Sequence, residues 1–396
     1  MKPLNSKNFE QQIDRWVESE AKRANDFCDL VRELKGVFPT EVVDAIKRLV
    51  EQNDKFSELL PDECFEIKRP VIDWLPIPHP LDSDWRFTSS TRNWLVERIG
   101  QNGQECSIAL LGTPSLIPDV IEEGICNHLH LFDVNPNVIT AVNRRFPAVK
   151  TCLIDLTTKV PSLQDFDVVV LDPPWYPKHW DSFLHAASNL CRKGGEVLAS
   201  FPSVGTRDGV SSQFDEFLAT ADSVSLGKME TIPFGLRYES PFFEQCALAA
   251  SGLGNCPLDW RTGDFVGFTR SQGETKKCFV PPAPSVVKWQ EIRLNGVRVK
   301  VRQKANESGS PAVRSIVAKD VLKTVSQRSP VVAEADIWTS DNRVFGCENT
   351  SGLLRLFRYW EDTHYRSDIG SLGCVETEVL NWFDGLAHIV NSVKKC

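Results

Sequence analysis

From residue 106 to residue 200 the chain alternates short β-branched runs with amphipathic stretches, a pattern few folds can accept. The runs are Ser107–Leu111, Leu129–Phe132, Thr151–Ile154, Val168–Leu171 and Val197–Ser200. Mostly apolar, they read as strands of a parallel sheet buried on both faces. Helical spacing fills the gaps at Pro118–Glu123, Pro136–Arg145 and Asp181–Cys191. The last puts Phe183, Leu184, Ala187 and Leu190 on one stripe, and Gly194-Gly195 is predicted to end it. Such alternation predicts an α/β chain with a Rossmann-like, doubly wound parallel sheet. Two further strands are predicted at Lys228–Ile232 and Phe265–Phe268.

In open α/β sheets ligands bind beyond the C-terminal strand ends, so the residues there carry the functional reading. Gly112-Thr113 follows the first strand, and a glycine lets a ligand approach the backbone. Asp133 closes the second strand, 21 residues after Gly112, the spacing of an acidic residue that binds ribose hydroxyls. Asp155 closes the third. The fourth ends in Asp172-Pro173-Pro174-Trp175-Tyr176. Two prolines cannot continue a central ladder, so the strand must stop at Asp172. The Asp172 carboxylate and the Pro173 carbonyl are then acceptors at the sheet edge, beside an aromatic pair on which a flat partner could stack.

That stretch resembles the Asp-Pro-Pro-Tyr/Trp signature of amino-group methyltransferases, the class I enzymes that use S-adenosylmethionine. The resemblance spans residues 104–270. It implies that Asp172 and the Pro173 carbonyl hold an exocyclic amine of a nucleobase or small molecule, with Trp175 or Tyr176 stacking on its ring. It implies S-adenosylmethionine as cofactor, held by Gly112, Thr113, Asp133 and Asp155, the last near the adenine amine. One departure is that Gly112 stands alone where the family reads Gly-x-Gly after an acidic residue. This leaves open a methyltransferase-fold subunit without turnover. A second resemblance is to the branched-chain polyamine synthases, aminopropyltransferases with a helical front and an Asp-Pro-Pro after the fourth strand. They carry acidic residues in the first strand's loop, where this chain has Gly112-Thr113-Pro114-Ser115.

The flanks read as accessory regions, dividing the chain into 1–100 (helical front and connector), 101–275 (the Rossmann-like domain) and 276–396 (α+β). A helix is predicted over 8–34 and another after Thr40 as N-cap. A proline-punctuated connector holds Pro70, Pro76, Pro78 and Pro80, then Trp85 and Phe87, read as core aromatics. Pro281-Pro282-Ala283-Pro284 marks the second boundary. Beyond it, Asn295-Gly296 between alternating runs is a hairpin signal. Leu294 should face Val297, and Ile292 should face Val299. Arg293 should oppose Arg298, and Glu291 should oppose Lys300 as the only acid on that face. Arg293, Arg298, Lys300 and Arg302 are therefore candidate phosphate contacts, the segment 303–330 adds Lys304, Arg314, Lys319, Lys323 and Arg328 to that surface, and nucleic acid is a candidate partner. A second hairpin (Ala335–Trp338, Arg343–Gly346) and a last helix at 376–393 complete the tail.

Composition narrows the remaining classes. A net charge of −8 argues against a whole-surface nucleic-acid binder. No apolar run approaches the roughly 18 residues of a membrane span, and no apolar signal core opens the chain, so a cytoplasmic protein without a membrane partner is expected. Twelve cysteines without a CxxC pair and seven histidines without HExxH spacing predict reduced thiols and no metal site. A place in a protein complex or a homo-oligomer stays open.

Overall fold

The computed structural model describes residues 4–61, 72–103, 105–162, 165–253, 256–273, 287–294, 297–304 and 311–363. The Pro281–Pro284 boundary, the Asn295-Gly296 turn and the 376–393 helix lie outside them.

The N-terminal region is three helices: α1 (Leu4–Glu20), α2 (Phe27–Glu33) and α3 (Pro39–Val50). The single helix expected over 8–34 is broken because Asp26 caps a new one, its carboxylate accepting from Asp29 N at 2.8 Å. Nor is Thr40 the cap of α3. Phe38 holds that position and Pro39 takes the first turn, where its missing N–H costs nothing. Arg48 on α3 forks onto Asp14 on α1 at 2.6 Å. Their apolar faces meet Leu248, Leu253 and Trp260 from the central region in one core.

The central region opens with β1 (Arg86–Phe87) and α4 (Ser89–Gly100). The alternation follows: β2 (Cys106–Leu111), α5 (Ile117–Glu123), β3 (Cys126–Asp133), α6 (Pro136–Arg145), β4 (Lys150–Leu153), β5 (Phe166–Leu171), α7 (Pro177–Leu190) and β6 (Cys191–Pro202). It closes with α8 (Val210–Ser223), β7 (Leu226–Glu239), α9 (Phe242–Ala250) and β8 (Arg261–Arg270). The sheet order is β1-β7-β8-β6-β5-β2-β3-β4, with β2 to β6 parallel and β8 antiparallel between β6 and β7. This is the doubly wound sheet expected. The chain runs outward from β2 to β4, then crosses back to β5, so the order reverses between β2 and β5. One face packs Ile108, Leu110, Val168 and Val170, the other Ala109, Leu111, Val169 and Leu171, and all eight are buried. Period-2 alternation with both faces apolar is why those strands read as continuous runs. Gly194-Gly195 does not end α7. That helix stops at Leu190 and both glycines lie inside β6, Gly194 with φ +78°.

The C-terminal sheet has the order β11-β13-β12-β10-β9, from β9 (Lys288–Leu294), β10 (Val297–Gln303), β11 (Val313–Ser315), β12 (Ile337–Thr339) and β13 (Val344–Cys347). Between β11 and β12 comes the short helix α10 (Pro330–Glu334), and α11 (Thr350–Thr363) follows β13. The β9–β10 register pairs Val297 with Leu294, Arg298 with Arg293, Val299 with Ile292 and Lys300 with Glu291, as the hairpin reading predicted. A small cluster of Phe243, Ala247 and Val325 with Phe38 and Trp85 ties all three regions together. Among the described residues no helix is long and apolar enough to cross a membrane.

Candidate active site

Asp172 follows β5 at the point where the sheet order reverses, the crevice in which open α/β sheets bind ligands. Its N–H still bonds Leu111 O on β2 at 3.3 Å, which fixes the carboxylate over the strand ends. The hydroxyls of Ser200, on β6, and Tyr238, on β7, both donate to Oδ1, the latter at 2.9 Å. Among the described residues Oδ2 takes no side-chain hydrogen bond. Burial pushes the Asp172 carboxyl up to about 7, against the two hydroxyls that stabilise its anion, with the nearby Asp84 carboxylate adding to the rise. Tyr238 is pushed well above its usual range by burial and then by the Asp172 charge, so it stays a donor.

Trp175 stands edge-on to Tyr238, ring centres 5.3 Å apart at 87°. Gly263 on β8 permits this. A methyl there would come within 3.2 Å of both rings and 3.1 Å of Phe201 O. Asp172, Pro173, Pro174, Trp175 and Tyr176 line one cavity of about 410 Å³. Its other walls come from residues 36–41, from Trp85, from Thr206 and Arg207, from Trp260 and Arg261, and from 323–328. Trp85, read as core, is therefore part of this wall, while Phe87 is the buried core residue expected. The Arg261 guanidinium lies between Trp260, 4.6 Å from its ring centre, and Trp85, at 5.2 Å, and pairs with the buried Glu244.

The cofactor-side residues fall along the same sheet edge, outside that cavity. Gly112 has φ +68°, and a side chain there would approach the Asp172 carbonyl, 3.6 Å from its Cβ. The Thr113 hydroxyl is buried without a hydrogen-bond partner among the described residues. Asp133 ends β3 and accepts from Asn135 N at 2.7 Å. Burial first, then the carboxylates of Asp84 and Asp82, push it up to about 7. Asp155, two residues past β4, is exposed and binds Thr157 through N at 2.9 Å and Oγ1 at 2.6 Å.

The hairpin cations are placed differently from the expectation. Arg298 is 2% exposed. Its Nε donates to Glu291 at 2.8 Å, its Nη1 to Ile77 O at 2.7 Å, and its Nη2 also reaches Asp82. Lys300 pairs with Asp82 as well, and Arg302 donates to the carbonyls of Val332 at 2.7 Å and Ala333 at 2.9 Å. Glu291 is thus not the only acid over that face. The connector folds across it and delivers Asp82, which also accepts from Asn135 at 3.1 Å. Of the four proposed phosphate contacts only Arg293 is exposed. Beside this network His79 is buried, accepts from Leu81 N at 3.1 Å and donates to Trp338 O across 2.9 Å. Burial lowers it to about 3, so it is a neutral imidazole of fixed tautomer.

Ser200, Tyr238, Arg207 and Arg261 were not singled out from the sequence, whereas Lys323 and Arg328, read there as further cations beside the hairpin, line the cavity instead. Ser200 alone had a signal, as the last residue of a predicted strand beside the one ending in Asp172.

No protein-family model matches the chain, and no curated protein matches it. Solved structures do. The branched-chain polyamine synthase of Thermus thermophilus, in complex with N4-aminopropylspermidine and 5'-methylthioadenosine, superposes with a TM-score of 0.51 at 14% identity, covering 66% of this chain and 89% of that one. A C9 mutein of the same enzyme gives 0.51 and 14% over 66% and 88%. The N-methyltransferase NodS of Bradyrhizobium japonicum gives 0.31 and 13% over 46% and 96%, too slight a likeness to argue from. The chain shares its fold with the Thermus enzyme over about two thirds of its length.

Proposed function

We propose that the protein is an S-adenosylmethionine-dependent transferase that methylates an exocyclic amine on a planar acceptor. One observation carries this reading: the Asp172 carboxylate, at the sheet's reversal point, opens through an aromatic wall into a cavity of small-ligand size. Oδ1 is held by Ser200 and Tyr238, which fixes the carboxylate plane and leaves Oδ2 for an amine N–H. The Pro173 carbonyl takes the second N–H, so the nitrogen lone pair is turned toward the cofactor edge at Gly112. Trp175 supports the ring that bears the amine. Most of the rate enhancement is then positioning. The residues at the cofactor edge fit a nucleoside. Asp133 would accept ribose hydroxyls at the end of β3, Thr113 offers an unpartnered hydroxyl, and Gly112 presents bare backbone. When bound, S-adenosylmethionine supplies an electrophilic methyl group. If the acceptor base lies in a duplex, it must be flipped out to reach Asp172.

A second reading, aminopropyl transfer to a polyamine, draws on the likeness of fold to the Thermus synthase. The cavity weighs against it, because Arg207, Lys323 and Arg328 line it and would repel a polycation. Calorimetry with S-adenosylhomocysteine tests the proposal. Binding is expected, and Asp172→Asn should abolish methyl transfer while leaving that affinity within a few fold. Absence of binding to the wild type removes the reading and favours a subunit without turnover. An aminopropyl product from decarboxylated S-adenosylmethionine and spermidine would install the second reading instead.

A further inference from the structure

On the cavity wall that includes Tyr176, two arginines meet without an acid between them. Arg328, on the C-terminal wall, lies over the Tyr176 ring, 4.8 Å from its centre. Arg207, beyond β6, lies 6.0 Å from the Trp180 ring centre. Its Nη2 donates to the neutral Gln213 Oε1 at 2.5 Å, and its buried Nε has no partner among the described residues. The two are close enough that, after burial, the Arg328 charge is what lowers Arg207, to about 10. Arg207 therefore stays cationic at neutral pH. Lys323 adds a third charge on the same wall. Among the described residues none of the three has a carboxylate within ion-pair distance. The acids that line the cavity are Asp172 and the exposed Glu41, while Arg261 is already matched by Glu244.

We infer that Arg207 and Arg328 hold a phosphate of the acceptor, so that the acceptor is an amine-bearing nucleotide with its base at Asp172. The inference rests on the transferase reading for the base end alone. Two guanidinium forks suit the geometry of phosphate oxygens, and a phosphate monoester carries close to two negative charges at pH 7. Tyr176, beneath Arg328, is four residues from Asp172, so one cavity of about 410 Å³ carries both the amine end and the anion end.

The test is calorimetry of AMP, CMP and GMP against adenosine, cytidine and guanosine, with and without saturating S-adenosylhomocysteine. At least one monophosphate should bind tenfold or more tightly than its nucleoside. Arg207→Gln and Arg328→Gln should each reduce that preference below threefold while S-adenosylhomocysteine affinity holds. Arg207→Lys should keep part of it, and thermal unfolding checks that each variant is folded. A wild-type ratio near one, or a preference that survives both glutamines, overturns the inference. S-adenosylhomocysteine binding in the first case would leave the transferase reading standing. A short single-stranded oligonucleotide distinguishes the source. Tighter, Arg328-dependent binding of the strand places the phosphate in nucleic acid, and its absence places it in a free nucleotide.

Discussion

The molecule holds two clusters of cations, and they have opposite fates. On the β9–β10 hairpin, Arg298 and Lys300 are matched by Asp82 and Glu291, two charges against two, with Asn135 and Asn137 bonding the same acids. At the cavity that Asp172 lines, Arg207 and Arg328 lie beside aromatic rings, and with Lys323 they have no carboxylate within ion-pair distance among the described residues. The hairpin is conspicuous in the sequence and spends its charge on holding the connector. The cavity cluster is dispersed over more than a hundred residues and keeps its charge for something else. A run of basic residues therefore says less about binding than an account of where each charge is neutralised.

The largest expected effect comes from breaking the matched cluster. Asp82→Ala would leave Arg298 and Lys300 buried beside a single acid, and removing one partner from such a network costs about 3–5 kcal/mol. Chemical denaturation measures this, and a loss under about 1 kcal/mol would mean that the hairpin cations are solvated after all. Next is the carboxylate bordering that network. Asp133→Ala should weaken S-adenosylhomocysteine binding by about 1.5–3 kcal/mol, as loss of a charged hydrogen-bond partner does. Unchanged affinity by calorimetry would mean the edge beside Asp82 is closed to ligands.

A smaller effect is set by pH. With Asp172 pushed up to about 7 and its anion needed to accept the amine, transfer should rise about tenfold between pH 6 and 8. Stability should move the other way. A carboxyl raised in the folded state favours folding while protonated, so the contribution of Asp133 and Asp172 falls as pH climbs from the usual carboxylate range through about 7. A flat rate profile would mean that Asp172 is already ionised at pH 6. The smallest effect is at Arg293, exposed and outside both clusters. Arg293→Glu should change stability by less than about 0.5 kcal/mol. If it instead cut nucleic-acid binding and lowered the salt slope by about one, the hairpin would regain its place as an interface.

The sheet was legible because its signals are local. Apolar runs, glycine and proline stops and an acid closing three successive strands need no knowledge of distant residues, and Asp133, Asp155 and Asp172 do fall on one edge. The helical front was misjudged where local rules compete. Asp26 starts a helix inside an apolar repeat, and Pro39 displaces Thr40 as the starting signal. The cavity was not legible, because its walls are joined only by tertiary contact. Tyr238 reaches Asp172 from 66 positions away, and Asp82 meets Arg298 and Lys300 across 216 and 218. No spacing rule operates at that range. Trp85 illustrates the same gap: its ring packs against Phe243 as a core residue would, at 5.1 Å, yet it also lines the cavity.

The wall at residues 323–328 has a consequence in time. The sheet that carries Asp172 is complete once Arg270 has been made, but Lys323 and Arg328 leave the ribosome later, by a few seconds at about 5–20 residues per second. During that interval a nascent chain would hold Asp172 and Arg207 while the wall that brings Lys323 and Arg328 beside them is still missing. The two arginines of the cavity are thus encoded on either side of the boundary between the two sheets, and recombination there could exchange one cavity wall while leaving Asp172 and its hydroxyl donors in place.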